Sequence, residues 1–279
     1  MNSNLNIIQE AGLNILKEVI KLCHKYDITY YVYGGTMLGA YRHHGFIPWD
    51  DDVDIAMPRK DFERFKSHQD ELPSYFLLDT VQRKGHYWSA ANVRDTRLIV
   101  EAGRALKRGQ MAVWVDVLII DGVPKPGSLS YKLYSILYLF ARLIYKFSHF
   151  SYEVDLEVER PFYERFFITF AKVTHVEAIV NQKLAGTFLD RVSSIFDYDR
   201  CDYVATLAGP RKMGETQPKA WFGKGRSYPF EDIEVNIMDN AEAFFEKFYR
   251  PNYMTPPPLD KRNPHNMVVV KDNRGTDDL

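Results

Sequence analysis

Residues 30–55, YYVYGGTMLGAYRHHGFIPWDDDVDI, constrain this chain more than any other stretch. A strand-like run ends on Gly34-Gly35-Thr36, and sixteen residues beyond Thr36 begins Asp52-Val53-Asp54-Ile55. Two glycines after a strand let the backbone approach a phosphate, and the N–H groups that open the next helix can hold its oxygens. On a strand, residues i and i+2 share a face, so the carboxylates of Asp52 and Asp54 converge. Convergent carboxylates repel unless a proton or a cation neutralises them, and hard oxygen ligands suit Mg²⁺ or Mn²⁺. A metal beside a phosphate cradle points to phosphoryl or nucleotidyl transfer.

The rest of the chain narrows the setting. With 279 residues, 46% of them hydrophobic, a large core can form. A net charge of -1 argues against a general nucleic-acid binder. Cys23 and Cys201 are too few and too far apart for a disulfide framework or a zinc site, and read as reduced thiols. The first residues lack a basic segment followed by an apolar one, so secretion is not expected. No apolar run reaches the roughly 18 residues of a membrane span. The nearest, residues 133–144, is broken by Ser135 and Arg142.

Helical spacing of Ile8, Ala11, Ile15, Val19, Leu22 and Tyr26 predicts an amphipathic helix over 5–26. A strand follows at 29–33, then a short helix at 36–41 capped by Thr36. The acidic strand ends at Pro58, and 59–72 reads as a helix. Strands are expected at 75–81, 89–94, 98–102 and 111–120, with a basic loop at 103–110. Composition shifts after residue 121, toward a Tyr-, Leu- and Phe-rich segment at 130–150 and helices at 162–173 and 176–195. Strands near 203–207 and 226–235, a helix over 239–249 and a proline-rich exit at 255–258 complete the reading. The tail from Lys271 is expected to fray.

The strand–turn–helix–loop–strand layout resembles the nucleotidyltransferase fold of the polymerase-beta superfamily, with its hG[GS], DhDh and later h[DE]h elements. The later acid is Asp116, alone in the apolar run AVWVDVLII. A carboxylate there is costly unless charged partners or a metal meet it. More narrowly, YGGTMLGAYRHHGFIPWDDDVDIAM resembles the signature of the LicD family of phosphotransferases. Val115-Asp116-Val117-Leu118-Ile119-Ile120-Asp121 is similar to that family's second block, with Leu118-Ile119 where Phe-Pro is usual. Val93-Arg94-Asp95-Thr96, Tyr228-Pro229-Phe230-Glu231 and Tyr253-Met254-Thr255-Pro256 resemble further family motifs. Likeness is strong over 26–121, patchy over 226–258 and absent over 125–200.

The resemblance implies an α+β fold, a mixed α/β nucleotidyltransferase core with a helical insertion. It divides the chain into a catalytic core at 1–124, an insertion at 125–200, a completing segment at 201–270 and a tail at 271–279. It implies transfer of a phospho-alcohol from a CDP-linked donor to a sugar hydroxyl of a glycan, with phosphocholine the first choice and ribitol or glycerol phosphate next. Asp52, Asp54 and Asp116 would ligate Mg²⁺ or Mn²⁺, Asp116 also being a base for the acceptor. The donor would sit on Gly34, Gly35 and Thr36. Arg42 is expected on its phosphates, with Arg94 and His44 as further substrate contacts. Strand alternation sets Asp51 behind the ligands, fixing the loop, and Asp50 is read as solvated. Trp49 and Trp88 could box a choline ammonium. Segment 130–150 is either packed core or an aromatic face, with Lys132, Arg142 and Lys146, resting on a membrane beside a lipid-linked acceptor. The expected location is the cytoplasm, at the inner membrane face. Two rival readings use the same features: a nucleotidyltransferase releasing pyrophosphate, and a non-catalytic glycan- or membrane-binding module.

Overall fold

The computed structural model describes residues 3–102, 109–153, 169, 173, 175–249, 251–259, 262 and 267–275. Helix α1 (Ser3–Lys25) opens the chain, and its Ile8, Ala11, Ile15 and Val19 stripe is buried, as its spacing predicts. It packs across the central strands of a mixed sheet. Strand β1 (Tyr31–Val32) runs antiparallel to β2 (Asp54–Pro58), and β2 runs parallel to β5 (Gly109–Val123). On the other side of β5 lies the long antiparallel strand β4 (Ala91–Ala102). Ile55, Ala56 and Met57 are all fully buried, so β2 is covered on both faces. Strands β1, β2 and β5 are therefore neighbours in the sheet.

The two strands expected at 89–94 and 98–102 are one, interrupted by a register shift between Asp95 and Ile99. Asp95 fills that irregularity, accepting hydrogen bonds from the Arg97 backbone and guanidinium. Strand β3 (Phe76–Asp79) also pairs with β4. Beyond residue 200, β6 (Tyr203–Ala205) extends the sheet from the end of β5, and β7 (Gln217–Pro218) pairs with β6. The strand expected at 226–235 is a hairpin of β8 (Arg226–Phe230) and β9 (Ile233–Ile237). The expected fraying also needs correction. Lys271 and Asp272 belong to β10 (Val268–Asp272), paired with Ile99 and Leu98 at the sheet edge. A run of β-branched residues, Val268-Val269-Val270, suits that edge.

The segment from 125 onward is helical where it is described. Helix α4 (Leu129–Phe147) follows α2 (Gly34–His43) and α3 (Arg59–Ser67) and is capped by the Ser128 side chain, which accepts from Tyr131 N–H. It packs on α5 (Gln182–Ser193). Tyr134, Tyr138, Ala141 and Tyr145 form its inner face and join Ala185, Leu189 and Leu207 in a second core cluster. The aromatic face of 130–150 therefore points inward. Its outward face is apolar and mainly aliphatic, with Leu129, Leu133, Ile136 and Phe140 each more than half exposed. Arg59 ties this unit to the sheet, bidentate to Asp121 at 2.7 Å and bonded to Asp190 of α5 at 2.7 Å. The helix expected at 162–173 and most of the basic loop at 103–110 lie outside the described residues. Helix α6 (Ala241–Tyr249) closes the fold against Tyr33 and Tyr41.

Candidate active site

Three backbone features bring the glycine turn and the acids together. Tyr33 N–H donates to Asp54 O at 2.9 Å, joining the end of β1 to the start of β2. Thr36 Oγ1 accepts from Asp54 N–H at 2.9 Å, pinning helix α2 to the same residue. Asp54 and Asp116 then face each other as register partners on parallel β2 and β5. Helix α2 begins at Gly34, two residues earlier than expected, so Thr36 is not its cap. Thr36 is a buried clamp that fixes the acidic strand. The N–H groups of the first turn have no carbonyl within the helix to meet.

Gly34 has φ +56°, and a Cβ there would stand 2.9 Å from Asp54 Oδ2. A Cβ on Gly35 would stand 2.7 Å from Asp50 Oδ2. Both positions need glycine because carboxylates crowd the turn. The result is a cleft of about 530 Å³ whose floor carries Gly34, Gly35, Asp50, Asp52, Asp54 and Asp116. Glu215, on the short turn 212–215, adds a further carboxyl to its wall. It accepts from Tyr33 Oη at 3.1 Å.

Electrostatics in the cleft are dominated by stranded negative charge. Burial first, then Asp52, Asp116 and Asp50, push the Asp54 carboxyl well above the usual range. Burial, with Asp52 adding to it, pushes Asp116 up to about 7, against the restraint of nearby Trp114, Asn92 and Arg94. Asp116 Oδ1 is sealed from solvent without a hydrogen-bond partner among the described residues. An orphaned carboxylate oxygen among repelling acids is what a divalent cation would relieve. The charge and donor chemistry fit Mg²⁺ or Mn²⁺. Among the described residues, though, no three such side chains are already drawn together into a metal-holding group.

Residues 27–115 match the family model described as LicD/FKTN/FKRP, nucleotidyltransferase domain. Over residues 27–115 the chain is similar to the LicD-family nucleotidyltransferase domain. The match stops one residue short of Asp116. Likeness to an individual LicD protein extends further. The chain is 26% identical over 264 residues to the lipopolysaccharide cholinephosphotransferase LicD of Haemophilus influenzae, covering 93% of this chain and 94% of that protein. It is also similar to uncharacterized proteins of Rickettsia prowazekii, 26% identical over 125 residues, and Rickettsia typhi, 41% identical over 72. Those matches cover 44% and 26% of this chain, and 43% and 20% of the relatives.

Several expected site residues lie elsewhere. Arg42 sits in the last turn of α2, about 12 Å along the axis from Gly34 at 1.5 Å per residue. Its Nη1 donates to Tyr253 O at 2.6 Å, fastening the segment after α6. His44 is the left-handed residue ending α2, exposed and stacked near Tyr228. Arg94 makes the cross-strand ion pair, 3.2 Å from Asp79 on β3, and also donates to Asn92 at 2.8 Å. Asp51 is buried, and its Oδ2 accepts from Met267 N–H at 3.3 Å, which fixes the loop against the chain end. Of the two tryptophans, Trp88 lines the cleft, whereas Trp49 packs beneath Arg262. The expected pairing of the two around a ligand is not formed.

Other residues enter the cleft unannounced. Asp50, read as solvated, faces its floor. Strand β2 starts only at Asp54, so residues 50–53 do not follow a pleat. Arg142 and Lys146 of α4 and Tyr249 of α6 also line the cleft. Burial, followed by the charge of Asp54, raises the Tyr249 hydroxyl far above its ordinary value, so it stays a neutral donor.

Proposed function

We propose that this chain is a LicD-type phosphotransferase. It moves a phospho-alcohol, phosphocholine first and ribitol or glycerol phosphate next, from a CDP-linked donor to a sugar hydroxyl of a cell-surface glycan. The observation that carries this reading is the cleft itself, where a glycine-opened helix start meets Asp52, Asp54 and Asp116. Similarity along nearly the whole chain to a lipopolysaccharide cholinephosphotransferase supports the choice of alcohol and acceptor class.

The acceptor oxygen attacks the phosphorus that bears the alcohol, the bond from that phosphorus to the CMP oxygen breaks, and CMP leaves. Backbone N–H groups at Gly34 and Gly35 hold phosphate oxygens at the positive end of α2. Thr36 holds Asp54 in place. Asp116 takes the hydroxyl proton, being buried beside the reacting oxygens. Mg²⁺ or Mn²⁺, held by Asp52, Asp54 and Asp116, would neutralise charge building on the transferred group. Asp50 and Glu215 add to the field that favours a cation. Rigid placement by the sheet and helix start supplies most of the remaining acceleration.

The place of work is the cytoplasm, at the inner membrane face. No described helix is long and apolar enough to cross a membrane. The outward aliphatic face of α4, rather than its inward aromatic one, favours a peripheral seat beside a lipid-linked acceptor. Mass spectrometry of the surface glycan made with and without this chain tests the reading. An added mass of phosphocholine, or of ribitol or glycerol phosphate, is expected. An added nucleoside monophosphate would favour the nucleotidyltransferase reading, and no added mass would favour a binding module.

A further inference from the structure

We infer that Arg142 and Lys146 of α4 form the subsite for the donor's diphosphate, in the same cleft as the acidic floor. The inference rests on the proposed transfer from a CDP-linked donor, and it assigns recognition of that donor to a segment with no counterpart in the family's matched region, which ends at residue 115.

Placement comes first. Arg142 and Lys146 are four residues apart, so they stand one turn apart on a single flank of α4. Both line the cleft that holds Gly34, Gly35 and the acids. Neither points with the aliphatic outer face.

Rigidity comes second. The two ends of this wall are stapled to the loops on either side. Tyr145 Oη donates to His86 O at 2.9 Å and Trp88 O at 3.2 Å. Arg142 Nη1 donates to Leu207 O at 3.1 Å and Ala208 O at 3.3 Å. The guanidinium is therefore held before any ligand arrives, which lowers the ordering cost of binding.

The third observation points to a ligand. Arg142 Nε is buried with no hydrogen-bond partner among the described residues. A buried unpaired guanidinium donor is unfavourable unless something supplies an acceptor. Arg142 lines the cleft, so a ligand bound there can supply that acceptor. A diphosphate diester carries two negative charges and presents oxygens on both sides. It can meet the start of α2 and the cation side with one set of oxygens and Arg142 and Lys146 with the other. Arg211 also lines the cleft, but it is engaged by Glu215 and lies over Phe248, so it is left out of the subsite. A single carboxylate or a neutral sugar would leave one of the two basic residues unused.

The test is calorimetric titration of the full chain with inorganic pyrophosphate and with CDP-choline, at fixed Mg²⁺, for the unmodified chain and for Lys146→Gln, Arg142→Lys and Arg142→Gln. Charge-assisted hydrogen bonds to phosphate predict affinities about ten- to a hundredfold weaker for Lys146→Gln and Arg142→Gln. Arg142→Lys should recover part of the loss, since it keeps charge and loses the fork. Lys146→Gln should melt as the unmodified chain does, which keeps the test open if Arg142→Gln unfolds. Unchanged pyrophosphate affinity in Lys146→Gln, or no pyrophosphate binding to the unmodified chain at millimolar concentration, overturns the subsite. Pyrophosphate binding lost in the variants of a chain that transfers nothing supports the subsite and removes the transferase reading instead. Normal affinity in the variants of an active chain does the reverse.

Discussion

Asp116→Asn separates the charge of the cleft from its shape. In the folded chain the Asp116 carboxyl lies at about 7 rather than 3.8, chiefly through burial. Below about pH 4 the folded and unfolded states both hold the proton, and nothing is lost. Between about 4 and 7 the folded state keeps a proton that the unfolded state releases, so stability falls as pH rises. Above about 7 the loss is complete. At 1.36 kcal/mol per pH unit the gap corresponds to roughly 4 kcal/mol, an upper bound because neighbours relax. Asparagine keeps the volume and removes this charge. Thermal melts of the two proteins in EDTA across pH 4 to 8 provide the assay. At about 2–4 °C per kcal/mol the variant should melt up to about 10 °C higher near pH 8, with the advantage fading near pH 4. Added Mg²⁺ should close the gap by stabilising the unmodified chain alone. A variant that is no more stable than the unmodified chain at pH 8 in EDTA would refute the claim that the cleft holds uncompensated charge.

Three further outcomes follow from the same geometry. Thr36→Val should destabilise the chain by about 1–3 kcal/mol in urea melts, because it strips Asp54 N–H of its acceptor in a buried setting. Activity should fall further than stability, since Asp54 loses its anchor. Arg42→Ala should lower stability by about 1 kcal/mol through the lost bond to Tyr253 O and leave donor KM unchanged. A raised KM would return Arg42 to the phosphate site. Replacing Leu133, Ile136 and Phe140 together by serine should weaken binding to anionic lipid vesicles by more than about a hundredfold, each side chain contributing at least about 1 kcal/mol of burial. Turnover on a short soluble acceptor should persist, and vesicle binding that survives the triple change would place the membrane contact elsewhere.

How much of this was legible depended on whether the governing geometry was local. The glycine pair, Asp54 and the lone acid Asp116 could be read because a strand end, a helix start and a pleat are short-range patterns. Their meeting follows from β2 lying parallel to β5. Asp50 reads as solvated within a run of acids, and only the path of the 50–53 loop turns it into the cleft. Arg42 was misread because proximity in sequence to the turn ignored the length of a ten-residue helix. Glu215 and Tyr249 gave no local signal, and Arg142 and Lys146 read only as basic residues of a membrane-facing segment. They reach the cleft only because α4, α6 and the 212–215 turn fold back over it, a tertiary event with no period or motif to mark it. The segment at 130–150 shows both sides of the matter. Its aromatic character was visible in the composition, but whether those rings would be covered depended on α5 and the 207–208 loop.

Phosphorus NMR of CDP-choline, incubated with Mg²⁺, an acceptor glycan and this chain, tests the central claim most directly. The account predicts that CMP appears in step with a new phosphodiester signal on the glycan, and that both vanish in Asp54→Asn, a folded variant lacking one carboxylate of the floor. CMP and diester formation undiminished in Asp54→Asn, or release of pyrophosphate from CTP with no reaction of CDP-choline, would contradict it.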